Sequence, residues 1–162
     1  MSRINISDCT IIIPYYMDSK ERYENLCAVY DFLKRKFNVK ILIVRYAGSS
    51  SKIPDGAVSL QLPYWNGVFH RTMVINEGIK FAGTPFVAVW DVDVFVNVSQ
   101  VLDAMDLLRE GASLVYPYSG DFVDLNREEY LKHGAIIEHP SYVKDSVGGV
   151  FFVNKEDYKK CG

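Results

Sequence analysis

The sequence predicts an α/β fold, a mostly parallel sheet with helices on both faces. Three observations carry this expectation. Apolar, β-branched runs alternate along the chain with segments whose apolar residues recur at helical spacing. Several runs, "CTIIIP" (9–14) and "FVAVW" (86–90) among them, are continuously apolar, the pattern of strands covered on both faces. The 162 residues, nearly half of them apolar, are enough for a single domain spanning 1–162 with a substantial core.

The elements follow in order. "CTIIIP" is a buried strand ended by proline. From about Ser19 to Phe37, residues Leu26, Tyr30, Leu33 and Phe37 recur at helical intervals. "VKILIV" (39–44) is a second buried strand, "AGSSSKIPDG" a loop, and "AVSLQL" a short strand. In "NGVFHRTMVINEGIKFAG", Val68, Ile75, Ile79 and Ala82 share one helical face and Gly83 supplies a stop. After the strand Phe86–Trp90, Ser99 is placed to cap a helix carrying Val101, Met105 and Leu108, ending near Gly111. "ASLVYPY" reads as a strand. "DFVDLNREEYLKHGAIIEHP" reads as a loop with one short helix, "GGVFFV" as a last strand, and "KEDYKKCG" as the start of a further helix. There are no repeats, low-complexity segments or linkers.

Composition narrows the function. A net charge of −2 provides no field for gathering nucleic acid or an anionic membrane. No apolar run reaches membrane-spanning length, and "MSRINISDCT" lacks the layout of a secretory signal. Cys9, Cys27 and Cys161 are odd in number and far apart. They make no metal-ligand cluster and suit a reducing, cytoplasmic setting. Eleven tyrosines and nine phenylalanines supply core, and also rings able to stack on a base or sugar.

The chemistry concentrates in "WDVDVFV". Asp91 and Asp93 follow an apolar strand and precede a helix, which places them at the carboxyl end of the sheet, where ligands of open α/β folds bind. In extended backbone, side chains two apart point the same way, so both carboxylates can face one ligand. Such a pair of hard donors suits Mg²⁺ or Mn²⁺ with open positions for phosphate oxygens. The plainer alternative is a pair of aspartates that cap a turn or meet solvent.

Four segments together resemble the GT-A-fold glycosyltransferases, a Rossmann-like fold of nucleotide-diphospho-sugar transferases, and most nearly the β-1,4-galactosyltransferase (family 7) group. They are "TIIIPYY", "FHRTMVINEG" with Phe69, Arg71, Asn76 and Gly78, "WDVDVFV", and "YVKDSVGGVFFVNKEDY" with Tyr142, Val143, Gly148, Gly149 and Val150. The likeness is patchy but runs in the same order along most of the chain. It implies metal-dependent, inverting transfer of a hexose, galactose or an N-acetylhexosamine, from a UDP-sugar to a saccharide or glycolipid acceptor, as in polysaccharide biosynthesis.

Carried onto this sequence, the resemblance implies that Phe69 stacks on uracil and Arg71 pairs with the diphosphate. Asp93 ligates Mn²⁺ or Mg²⁺, and Asp91 holds the ribose or the metal through water. Pro14, Tyr15 and Val92 line the nucleotide pocket, and Gly148 and Gly149 admit the donor sugar. For Phe69 the plain alternative is a packed helix start, and for the glycines a tight turn. His70, His133 and His139 read as surface residues, and Asp145 as a loop residue.

Two departures stand out. Tyr15, Tyr16, Met17 and Asp18 occupy the place where the family carries phosphate-binding arginines, with Lys20 or Arg22 as the only substitutes. The family's acidic base and acceptor segment, and its further Met/His metal ligands, have no counterpart up to Gly162. The expectation is therefore a fragment of a longer enzyme, its base beyond Gly162, whose uncovered apolar surface favours self-association; a longer parent leaves peripheral membrane attachment open. Two rivals remain. In a haloacid dehalogenase-like phosphohydrolase, Asp91 is the nucleophile, Asp93 the acid/base and Ser119 the second motif. Against it, 90 residues precede Asp91 and only 43 follow Ser119. The other rival is a non-catalytic nucleotide-sugar-binding module.

Overall fold

A computed structural model of the chain describes residues 3–47, 52–63, 68–120 and 148–161 with their side chains, and the backbone of 122–125 and 138–143. The chain divides into two compact units, Met1–Pro117 with Gly149–Gly162, and Tyr118–Gly148. The first contains β1 (Ile4–Pro14), α1 (Lys20–Lys36), β2 (Phe37–Tyr46), β3 (Val58–Leu62), α2 (Arg71–Phe81), β4 (Phe86–Trp90), α3 (Val98–Arg109) and β5 (Leu114–Val115). The returning segment adds β8 (Val150–Asn154) and a short helix, α4 (Lys155–Lys159). The second unit contains β6 (Phe122–Leu125) and β7 (Glu138–Val143), an antiparallel pair with a register shift between Val123 and Leu125.

The main sheet has six strands in the order β3-β2-β1-β4-β8-β5. β1 pairs in parallel with β2 and β4, and β2 in parallel with β3. β8 runs antiparallel to both β4 and β5. The chain thus moves one way from β1 to β3, then crosses back to place β4 on the other side of β1. Right-handed crossovers in opposite directions put α1 and α2 on opposite faces. On one face Ile12, Leu42, Val44, Val87 and Val89 form a buried cluster with Val74, Ile75 and Ile79 of α2. Ile11, Ile13 and Ile43 point the other way and are just as buried, so both faces are covered. This is the mostly parallel α/β sheet the sequence predicts.

The boundaries differ from expectation where polar residues blur the signal. β1 starts at Ile4 rather than Cys9, because "INISD" carries no continuous apolar run, and its register with β2 slips between Asn5 and Thr10. α2 starts at Arg71, so Val68 precedes the helix and is 55% exposed instead of sharing its buried face. α3 is capped by Asn97, not Ser99. Gln100 accepts the Asn97 N–H at 3.2 Å, and Ser99 lies inside the first turn. "ASLVYPY" yields only the two-residue β5. The segment expected to be loop contains β6 and β7, and the short helix expected there falls on 126–137, outside the described residues.

The polar first half of β1 is tied down by one ion pair. Arg109, ending α3, donates to both carboxylate oxygens of Asp8 at 2.9 and 3.0 Å. These hydrogen bonds hold the Asp8 carboxyl below its usual range, against the opposing effect of burial. A depressed carboxylate stabilises the fold above its unfolded-state pKa, and that stability is lost as pH falls through the folded pKa. Asp8→Asn is expected to lower stability at pH 7 by up to about 1 kcal/mol, because the pair is partly exposed. Urea unfolding across pH is the check: the gap between the two proteins should close below about pH 4.

Candidate nucleotide site

The chain reverses its direction of travel across the sheet between β1 and β4, and the crevice at their carboxyl ends is where α/β sheets place ligands. Pro14 ends β1 here, and Asp91 follows β4. The Tyr15 N–H extends the ladder to the Val44 carbonyl at 2.8 Å. Asp91 is fixed from two sides. Its N–H donates to the Gly149 carbonyl at 2.8 Å, and its Oδ1 accepts from Arg71 Nη2 at 2.7 Å. Gly149 has φ +88°, a conformation that favours glycine, so the turn before β8 can present that carbonyl.

Asp91 and Asp93 do not lie on one continuous strand. Val92 and Asp93 form a turn, so strand alternation does not apply to them. The turn is anchored from inside. Val92 and Val94 are buried, and the fully buried Trp90 donates its indole N–H to the Val94 carbonyl at 2.8 Å. Asp93 is left exposed, with neither ion pair nor hydrogen bond among the described residues. Sequence reading missed Trp90 as a support because a tryptophan closing an apolar strand looks like plain core.

Arg71 is the first residue of α2 and is 45% exposed. His70, at the N-cap, makes no side-chain hydrogen bond to the helix, so the first turn of α2, beginning at Arg71, has no side-chain cap. Phe69, just before, is partly buried. Its ring lies 6.1 Å from that of Tyr16 and 6.0 Å from that of Tyr46, edge-on to the latter. The Tyr46 hydroxyl accepts the His70 N–H at 3.3 Å. Tyr16 stands out in the sequence only as a departure from the family pattern, and Tyr46 is given no role there. Aromatics at the ends of apolar runs carry no mark that separates crevice from core.

The motif residues divide by role. Asn76 accepts a hydrogen bond from the Tyr158 hydroxyl of α4 at 2.6 Å, and Gly78 packs on the sheet, so both serve the fold. Arg71, Asp91, Asp93 and Gly149 gather around the end of β4. Gly148 belongs to the second unit, where its carbonyl accepts from the Tyr118 hydroxyl. Tyr142 and Val143 lie in β7 of that unit, and Asp145 lies outside the described residues.

Pro14 and Tyr15 are buried, which leaves Tyr16 as the residue of this stretch with open surface. The Tyr15 hydroxyl is buried without a hydrogen-bond partner among the described residues. Burial, with Cys27 and Tyr23 adding to it, pushes this phenol up to about 12. An unpaired buried hydroxyl costs roughly 1–3 kcal/mol. Tyr15→Phe is therefore expected to raise unfolding stability by about 1 kcal/mol in urea titrations. A loss of that size would mean the hydroxyl is hydrogen-bonded after all.

Among the described residues, no group of three or more His, Cys, Asp or Glu side chains surrounds a point, and no helix is long and apolar enough to cross a membrane. Two neighbouring carboxylates, one without a partner, still fit Mg²⁺ or Mn²⁺. These ions are commonly held by one or two carboxylates, with phosphate and water completing the shell.

A sheet of this order, covered by helices on both faces, is a Rossmann-like α/β fold. Solved structures agree at the level of fold. A mannosyltransferase from Pyrobaculum calidifontis, in complex with GDP-Man and Mn²⁺, matches at TM-score 0.54 and 16% identity over 96% of this chain and 46% of its own. Glucosyl-3-phosphoglycerate synthase from Mycobacterium tuberculosis, with UDP, matches at TM-score 0.54 and 13% identity over 91% of this chain and 57% of its own. A 4-diphosphocytidyl-2C-methyl-D-erythritol synthase from Anaerococcus prevotii matches at TM-score 0.52 and 14% identity, over 94% and 76%. The chain spans about half the length of the two sugar transferases. No protein-family model matches it, and no curated protein sequence does.

Proposed function

We propose that this crevice binds a nucleotide-diphospho-sugar with a divalent cation, for transfer of the sugar to an acceptor hydroxyl. The observation that carries the reading is the meeting of Arg71, at the uncapped start of α2, with Asp91 and the free Asp93 at the switch point. A planar guanidinium beside helix N–H groups suits a diphosphate. Asp93, helped by Asp91, would hold Mn²⁺ or Mg²⁺. When bound, that cation neutralises charge on the departing nucleotide diphosphate. Arg71 keeps Asp91 on Nη2 and has further guanidinium N–H donors for a phosphate oxygen, where it stabilises the same developing charge. Phe69 and Tyr16 offer ring surface to the base. Pro14, Tyr15 and Val92 form the floor beneath it, and Gly149 leaves backbone room for the sugar.

The finer reading is an inverting hexosyltransferase of the family 7 type, using a UDP-sugar and a saccharide or glycolipid acceptor. In support, neighbours of this fold have been solved with GDP-Man and Mn²⁺ and with UDP. Nucleotidyl transfer is the second reading, favoured by cytidylyltransferases among the neighbours, one from Thermus thermophilus matched over 70% of its length.

Calorimetric titration of the chain with UDP and with CTP, each with and without Mn²⁺, tests both. Metal-dependent UDP binding is the expected result. CTP binding with UDP ignored would favour nucleotidyl transfer, and no nucleotide binding in any arm would remove the reading for this chain.

A further inference from the structure

The amino ends of the strands carry a second cleft, of about 360 Å³, far from the nucleotide crevice. It is reached from β1 at Thr10, β2 at Lys40 to Leu42, β3 at Val58, and the last residue of α2, Phe81. Arg71 and Phe81 are the two ends of α2, which at 1.5 Å per residue separates the sites by about 15 Å.

We infer that this cleft binds a small organic acid, an aromatic or short aliphatic body bearing one anionic head. Three observations support it. Its apolar wall includes Phe81 and Val58, 63% and 61% exposed, among the most exposed large apolar side chains described. Leaving such surface in water costs about 25 cal/mol per Å² that a ligand would cover.

Its charged lining is cationic. Lys34 and Lys40 both line the cleft, and no acidic residue among the described residues does. Neither lysine has an ion pair or hydrogen bond among the described residues, whereas Lys20, Lys80, Lys159 and Lys160 are each paired with a carboxylate. Lys34 also suits the last turn of α1 through the helix dipole, but Lys40 stands in a strand, where that explanation fails.

The third observation is that the hydroxyl deepest in the strand wall is spoken for. Thr84 Oγ1 gives its proton to the Phe86 carbonyl at 2.9 Å. The 2.7 Å contact between Thr10 and Thr84 must then use the proton of Thr10. Thr10 offers an anion no donor, so the head group is left to the two lysines and the Tyr30 hydroxyl, and the body to the apolar wall. The volume, near the low end for ligand pockets, limits the ligand to about the size of a naphthalene derivative.

The probe is 8-anilinonaphthalene-1-sulfonate, titrated by fluorescence and calorimetry into the intact chain, with the uncharged N-phenyl-1-naphthylamine as its counterpart. A saturable one-to-one site is expected for the sulfonate, weakened roughly tenfold in the Lys34→Ala/Lys40→Ala double variant and by added salt. Binding of the neutral amine should be unchanged in that variant. Both lysines are exposed, so the variant is expected to fold, with circular dichroism as the control. Sulfonate binding indifferent to the double substitution, displacement of the probe by UDP with Mn²⁺, or absence of a saturable site would each overturn the inference.

Discussion

Asp93→Ala is expected to reduce nucleotide-diphosphate affinity in the presence of Mn²⁺ by roughly ten- to a hundredfold, to the level seen without metal. The reason is local. Asp91 already gives one oxygen to Arg71, so a cation at this turn depends on Asp93 for its uncommitted protein ligand. The side chain is exposed and holds nothing else, so its removal should leave the unfolding midpoint where it was. Arg71→Ala makes the contrasting case. It should weaken the nucleotide with and without metal, because it removes a phosphate partner and leaves the cation site standing. Calorimetry on the three proteins, with and without Mn²⁺, separates the two effects. If Asp93→Ala kept full metal-dependent affinity, the cation would be held elsewhere and the proposed role of this turn would fall.

The sheet was legible because its central strands have one simple cause. Ile11 to Pro14, Ile41 to Val44 and Phe86 to Trp90 are covered from both sides, and nothing but continuous apolar sequence satisfies that. Legibility declined toward the edges. The start of β1 is partly polar and is held by Asp8 and Arg109, a contact between residues far apart in sequence that no local pattern announces. β6 and β7 lack clean alternation, and β7 contains Pro140, which argues against a strand in any sequence reading.

At the site, position was easier to read than backbone geometry. Two aspartates after a buried strand point to the crevice whatever the backbone does. That they sit in a turn anchored by Trp90 depends on the Val94 carbonyl being free to accept, which the sequence does not encode locally. Asn76 and Gly78 belonged to the same motif as Arg71, yet they hold α2 in place rather than face the crevice. A motif records residues that go together without separating those that touch a ligand from those that position the ones that do.

Gly78→Val is expected to be the most damaging single substitution considered. A Cβ at this position would stand 2.8 Å from Ile12 Cγ2 and 3.0 Å from Val44 Cγ2. Both neighbours are fully buried in central strands, so neither has room to retreat. Glycine inside a helix costs about 1 kcal/mol relative to alanine, and α2 carries that cost in order to lie close on the sheet. For Gly78→Ala the propensity gain partly offsets overpacking of roughly 1–3 kcal/mol, for a net loss of about 1 kcal/mol. Valine adds two methyl groups and a stiff χ1, and its loss should reach about 3 kcal/mol or more, a fall in Tm on the order of 10 °C. The effect should also reach the crevice. Arg71 begins the same helix and meets Asp91 at 2.7 Å, so a helix lifted from β1 and β2 carries the guanidinium away from the turn. Thermal unfolding and UDP titration of the valine variant should therefore both change, where Asp93→Ala changes only the second. An unchanged Tm would mean that α2 can move off the sheet without cost, and the close approach at Gly78 would not be what sets the position of Arg71.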